Sequence, residues 1–343
     1  MSNLPLPRVE SLVDCTNFKL TVLPYLAQLE WLPASLREAG RDLDSLKAVY
    51  LATNPFVSAL SICLVDRFWS ILPALYNVHY ALWARLAGIR TQTLDTIAVI
   101  SILWSIRLTF NYWRKGGYSI GSEDYRWEIV RARVNNTFVF TIFNFSFIAV
   151  AQSLLLLLIT VPTYVFVIIA QNKGPENFGL ADLAFSRVAL FFIIIEFFAD
   201  QQQWNFHQAK HEYQTNARIP EQFKDQYTFE DLERGFVVSG LWSWSRHPNF
   251  VAEQAVWLTM YAWCAFRTET YASWAGIGLL GYMAIFQGST RLTEAISASK
   301  YSEYSEYQAR VGRFLPRLSV EAKQTKPAKK AAKKPKAVEK KSN

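Results

Sequence analysis

Residues 137–171, TFVFTIFNFSFIAVAQSLLLLLITVPTYVFVIIAQ, form a 35-residue run that is nearly pure hydrocarbon from 147 to 170. An α-helix needs roughly 20 apolar residues to cross a bilayer. The run therefore predicts one long tilted helix or a bent one, with Pro162 removing a backbone hydrogen bond in its middle. Working outward, the same apolar density marks spans at 46–65, 69–88, 94–113, 180–199, 249–268 and 272–290. The first two are interrupted by Lys47, Asn54, Pro55, Pro73, His79 and Arg85. Apolar residues cluster in these segments and do not recur at amphipathic spacing, which argues against the core helices of a water-soluble protein. The expected fold class is all-α, a polytopic helical membrane protein with about seven transmembrane helices.

Orientation follows from the loops. Segment 114–133 carries Arg114, Lys115, Arg126, Arg131 and Arg133, and 201–247 adds five more Lys and Arg, whereas 172–179 and 269–271 hold only Lys173 between them. The positive-inside bias puts the crowded side in the cytosol, together with the C-terminus. Residues 1–45 form an N-terminal segment ahead of the membrane domain 46–320, and Pro5, Pro7, Glu10 and Asp14 leave residues 1–15 without the apolar core of a cleavable signal. Cys15, Cys63 and Cys264 are odd in number and far apart, which suits packing better than a disulfide framework or a metal site. His207 and His211 share a helical spacing, but no third His or Cys ligand accompanies them, so no metal is expected.

The last 23 residues, 321–343, hold nine lysines against Glu321 and Glu339, a surplus of seven in a chain whose formal charge is +8. Such a tail buries no core and is expected to be disordered and cytosolic, drawn to anionic lipid. The chain's basicity is thus a property of its tail and gives no evidence for specific nucleic-acid binding. It ends KKSN, with Lys340 and Lys341 fourth and third from the end, which resembles the dilysine retrieval signal of endoplasmic reticulum membrane proteins and implies a retrieval coat as partner.

The chemistry is concentrated in 239–254, SGLWSWSRHPNFVAEQ. Pro248 fits the first turn of a helix starting near Asn249, and a helix start flanked by Arg246 and His247 favours anions. Glu253, one turn into an apolar span, is costly unless it meets a partner or a wet cavity. SRHPNF followed by Glu253 resembles the SRHPNY-x-GE signature of the steroid 5-alpha-reductase-like membrane family, related to sterol reductases and more distantly to isoprenylcysteine carboxyl methyltransferases. Four further stretches match in the same order: LWSIRLTFNYWR (103–114), GSEDYRWEIVR (121–131), EFFADQQQWNFH (196–207) and TRLTEAISASKYSEYSEYQARVGRFLP (290–316). The similarity runs from about 95 to 316.

The resemblance implies an NADPH-dependent reductase of an activated carbon–carbon double bond in a lipid, with a cytosol-facing cofactor cavity in the C-terminal half. Carried onto this chain, it implies cofactor-binding roles for Arg107, Asp200, Arg246, His247, Asn249, Glu253, Arg291, Glu294 and Tyr304, with Glu196 beside them and Glu253 orienting Arg246, His247 or the cofactor's amide. One departure stands out. Steroid reductases carry a Tyr three residues before the arginine matching Arg107, and this chain has Trp104. An indole cannot take a phenol's role, so the donor of the reaction is unassigned, with Tyr112 and Tyr125 as weak candidates. Two alternatives remain: an S-adenosylmethionine-dependent membrane methyltransferase, and a non-catalytic lipid-binding membrane protein.

Deleting residues 321–343 is expected to leave fold and cofactor binding intact while moving the protein out of the endoplasmic reticulum, as followed by fluorescence microscopy. Lys340→Ser with Lys341→Ser should reproduce the shift with little change in net charge.

Overall fold

The computed structural model describes residues 4–61, 69–89, 91–119, 125–174 and 178–317, with backbone alone for 61, 125–129 and 148–149. Among these residues the structure is helical, with no strand. The N-terminal half is built from α1 (Phe18–Thr21), α2 (Gln28–Ala39), α3 (Leu43–Ala52), α4 (Pro55–Ser61), α5 (Leu72–Leu86), α6 (Gln92–Arg114) and α7 (Tyr125–Val134). The predicted span 46–65 therefore falls on two helices, because Pro55 starts a new one. Cys63 and the Lys-rich tail lie outside the described residues.

The 137–171 run is not one helix. It comprises α8 (Thr137–Phe143), a wide π turn over Asn144–Ala151, α9 (Gln152–Leu158) and α10 (Val161–Lys173). Pro162 occupies the first turn of α10 and so interrupts nothing inside a helix. Thr160 caps the break by donating from Oγ1 to the Leu157 carbonyl at 2.7 Å. Every residue from Val161 to Ala170 is buried, which makes α10 the central post of the bundle.

The C-terminal half follows with α11 (Leu180–Asn216), α12 (Phe229–Arg234), α13 (Pro248–Thr268), α14 (Ile277–Lys300) and α15 (Tyr304–Arg310). α11 packs along α13 and against α6, and α10 touches both α13 and α5. At the far end from the Arg246 turn, Asp182 is fully buried and holds α11 to α13: it accepts from Trp263 Nε1 at 2.7 Å and from Arg267 at 2.9 Å. The N-terminal segment is tied into the same core. Asn172 Nδ2 donates to the Pro7 carbonyl at 3.1 Å, and Asn54 Nδ2 donates to the Pro5 carbonyl at 2.8 Å. Cys15 and Cys264 are buried and free.

Among the described residues two helical segments are long and apolar enough to cross a membrane, Gln92–Arg114 and the joined run Thr137–Lys173. The other five predicted spans coincide with helices that are shorter or more polar. α6 nonetheless presents Val99, Ile102, Leu103, Ile106, Phe110 and Trp113 outward, and α11 presents Val188, Phe191, Ile194, Phe197 and Phe198. Such continuous apolar faces are rare on water-soluble monomers.

Gly278 lets α14 meet the break in the long run: a Cβ there would lie 2.2 Å from the Leu158 carbonyl carbon and 2.4 Å from the Ile159 nitrogen. Backbone on both sides leaves nothing to rotate away. Gly278→Ala should therefore lower stability by about 1–3 kcal/mol, the cost of overpacking, read as a reduced thermal midpoint in detergent.

Candidate functional site

The first two turns of α13 gather polar side chains from four directions. Arg107 of α6 is 8% exposed and meets three carboxylates: Glu196 Oε1 at 2.7 Å, Asp200 Oδ2 at 2.7 Å and Glu253 Oε2 at 3.0 Å. Glu196 and Asp200 lie one turn apart on α11, which aims both at the same guanidinium. Asn249 Nδ2 donates to the remaining Asp200 oxygen at 3.1 Å. Arg107 Nε and Glu196 Oε2 have no hydrogen-bond partner among the described residues.

Glu253 is saturated with donors. Trp104 Nε1 reaches both of its oxygens at 2.9 Å, Trp257 Nε1 reaches Oε1 at 3.0 Å, and the Tyr282 hydroxyl donates to Oε1 at 2.7 Å. A carboxylate held by three neutral donors and a guanidinium is a fixed acceptor. Of the groups expected as its partners, Arg246 and His247 stand about two helical turns before it and share no hydrogen bond with it among the described residues, which leaves the cofactor's amide.

The partner of Arg246 and His247 is Glu294 of α14. Arg246 Nε lies 2.7 Å and His247 Nε2 3.0 Å from the same Glu294 Oε1. Arg246 also donates from Nη1 to the Gln308 carbonyl at 3.1 Å and to the Val311 carbonyl. Its backbone N–H donates to Gly312 O at 2.9 Å, and that of His247 to Arg313 O at 3.2 Å. Residues 308–313 thus form a strap closed over the start of α13. Gly312 is required in it, since a Cβ would sit 1.9 Å from the Leu315 carbonyl oxygen. Gln308 Nε2 completes the clamp on Glu294 Oε2 at 3.3 Å.

Of the residues singled out in the sequence, Arg107, Asp200, Asn249 and Glu253 share one network, and Arg246, His247 and Glu294 share the second. Tyr304 makes no hydrogen bond to either network among the described residues; it is buried against Phe236 at a ring distance of 5.1 Å, close enough to Glu294 to feel its charge, and burial first, then that charge, push its phenol up to about 12. Arg291 is exposed on α14. Tyr112 is exposed and packs edge-on against Tyr118 at 4.8 Å, away from the network. The Tyr125 side chain falls outside the described residues. Sequence reasoning missed Tyr282 altogether. Its position on the apolar helix α14 carried no motif, and only the fold brings it 2.7 Å from a residue 29 positions away. Two cavities stand out among the described residues, one of about 480 Å³ beside Trp204, Gln208 and Phe223 and one of about 320 Å³ beside Arg133 and Leu292; neither is lined by the buried network.

Burial would raise the Glu294 carboxyl, but hydrogen bonds from His247 and Arg246, with the Arg246 charge, overcome it and hold the group at about 2. A folded-state value below the ordinary 4.5 means that the clamp is fully present above about pH 4.5 and is lost as pH falls toward about 2. Limited proteolysis across 308–317 should accelerate over that window. In Glu294→Gln the strap should be cleaved faster at neutral pH and show a much weaker acid dependence.

No solved structure matches the chain. An uncharacterized protein of Schizosaccharomyces pombe, C594.04c, is 37% identical over 331 residues, covering 91% of this chain and 93% of that protein. Residues 58–311 match the family described as protein of unknown function DUF1295. They include every described residue of both networks except Gly312 and Arg313, and the chain belongs to the DUF1295 family.

Proposed function

We propose that this protein is a multi-pass membrane reductase of the steroid 5-alpha-reductase-like type, using NADPH to saturate an activated carbon–carbon double bond in a lipid such as a steroid, sterol or polyprenoid. The observation that carries this reading is convergence. Four of the five motif stretches, separated by up to 200 residues of chain, supply Arg107, Glu196 with Asp200, the Arg246–Glu253 turn, and Glu294 with its strap to one place. The outward apolar faces of α6 and α11 support a membrane location; the reading adds about seven spans in the endoplasmic reticulum, with this cluster and the C-terminus on the cytosolic side, from the apolar segments, the loop charges and the KKSN end.

The donor set suits a polar cofactor in one respect, since Arg107 Nε and Glu196 Oε2 keep hydrogen-bonding capacity at a buried position. When bound, NADPH supplies a hydride to the β-carbon of the double bond. The chain's part is to hold the cofactor at Arg107, Asp200 and Asn249, to keep water out through the strap, and to present a hydroxyl where charge develops on the substrate carbonyl. Tyr282 is the phenol in this reading. It hydrogen-bonds the same Glu253 that Trp104 contacts, so the hydroxyl missing at position 104 is supplied from α14 to the same carboxylate. One observation favours the methyltransferase reading: three carboxylates gather on the single guanidinium of Arg107, a surplus of negative charge that suits a cationic ligand such as S-adenosylmethionine.

Binding of NADPH, NADH and S-adenosylmethionine to the full chain in detergent separates the readings, with NADPH expected to dominate. Dominant S-adenosylmethionine would establish the methyltransferase, and no ligand at millimolar concentration would leave a non-catalytic lipid binder. Given NADPH binding, Tyr282→Phe should retain affinity and lose at least about tenfold in NADPH oxidation driven by a 4-en-3-one steroid, in keeping with loss of one donor to a developing oxyanion. Trp104→Tyr in that background should recover part of the rate.

A further inference from the structure

The two buried arginines expected to grip phosphate are already matched, Arg107 by three carboxylates and Arg246 by Glu294 and two strap carbonyls. A phosphate monoester carries nearly two negative charges and is held best by cations that no carboxylate has already neutralised. Such cations meet where the ends of α6 and α14 reach the polar extension of α11. Arg114 anchors that junction, donating to Gln201 Oε1 at 2.7 Å and lying 4.8 Å over the Trp204 ring. His207 is the i+3 neighbour of Trp204, and Lys210 the i+3 neighbour of His207, so the three form a ridge winding along α11.

Lys210 Nζ donates to the Gly235 carbonyl at 2.8 Å and to the Tyr301 hydroxyl at 3.1 Å, and sits 4.9 Å from the Tyr301 ring centre. Lys300 Nζ covers the same ring at 5.4 Å. These partners are all neutral and leave both charges uncompensated. Lys115, beside Arg114, makes no ion pair among the described residues, although Asp200, occupied by Arg107 and Asn249, acts on it from a distance. Loss of solvent around the ring first, then the charges of Lys210, Lys115 and Lys300, hold the His207 imidazole down to about 4, in keeping with its place one turn before Lys210 on α11 and one turn after Trp204, which Arg114 covers. His207 is therefore neutral near pH 7 and offers a hydrogen bond without charge. Lys115 is also pushed down by burial and yet keeps solvent contact.

We infer that Lys115, His207, Lys210 and Lys300, with Tyr301 beneath them, form a binding subsite for a phosphate monoester. Three ammonium groups suit a dianion better than the single charge of a phosphodiester. Two sources share that chemistry: the 2′-phosphate of NADPH, in which case the inference rests on the reductase reading, and the monoester headgroup of a phosphoinositide.

The test uses the full chain in detergent, titrated with NADPH, NADH, phosphatidylinositol and phosphatidylinositol 4-phosphate in mixed micelles. Lys115→Ala, Lys300→Ala and the double variant spare the Lys210 contacts to Gly235 and Tyr301 and should fold normally by thermal midpoint. If the cofactor's phosphate is bound, wild type should prefer NADPH over NADH, each variant should lose about tenfold in NADPH affinity, and NADH affinity should hold. Wild type that binds NADPH and NADH alike, or keeps its preference in the double variant, overturns the cofactor source and leaves the reductase reading standing. Failure to bind either nucleotide sinks the reductase reading, and the subsite is then judged on lipid alone. A preference for phosphatidylinositol 4-phosphate that the double variant reduces supports the headgroup source, the lysine tail being common to both proteins. No monoester preference in either pair overturns the subsite itself.

Discussion

A guanidinium in the interior of a helical bundle organises this protein. Arg107 enters on an otherwise apolar helix, and taking its charge out of water costs several kcal/mol unless carboxylates and hydrogen bonds replace the solvent. Glu196, Asp200 and Glu253 replace it from α11 and α13, and Asp200 and Glu253 are held by further donors. α6, α11 and α13 can thus approach in only one register, because a shift of one residue on any of them would turn a carboxylate away by about 100°. The Tyr282 phenol, which donates to Glu253, then draws α14 to the same point. What holds the helices together and what makes the site polar are the same few side chains.

That dual role explains what was readable in the sequence. Arg107, Asp200 and Glu253 could be singled out because a charge in or at the edge of an apolar span is expensive and asks for a partner. The partners could not be assigned, since the contact of Arg107 with Glu253 spans 146 residues of chain, and that of Trp104 with Glu253 spans 149. Proximity along the chain suggests Arg246 and His247, beside the cofactor's amide, as partners of Glu253; about two helical turns separate them from it, and Glu294 pairs with both. The helices themselves followed from hydrocarbon density, but their ends did not. The break at Leu158–Val161 depends on Thr160 capping the first segment and on Gly278 admitting α14 against bare backbone, and neither effect is visible in a local window.

The presence of Trp104 acquires a physical sense in this setting. An indole N–H placed 2.9 Å from both oxygens of Glu253 serves the carboxylate as a donor but is far too weak an acid to release its proton, so it can hold the acceptor and not take part in acid chemistry. Tyr282 approaches the same carboxylate from α14 and carries a hydroxyl that can both donate and accept. Glu253 is thus satisfied by an indole from α6 and a phenol from α14, and of these two donors only the phenol can also accept a hydrogen bond.

The strap adds a different kind of constraint. Arg246, His247 and Ser245 all bond to backbone carbonyls between 308 and 313, so this stretch is held by groups at the head of α13, while the α15 turn before it is held by Tyr304 and Tyr307 packed on Phe236. Such contacts are directional and few, and they depend on Glu294 keeping Arg246 and His247 aimed. A segment secured in this way can lift without disturbing the hydrocarbon packing around α10, whereas the Arg107 network cannot open without stranding three buried carboxylates. The site accordingly has a rigid floor set by burial of charge and a cover set by hydrogen bonds, and of the two only the cover can move at modest cost.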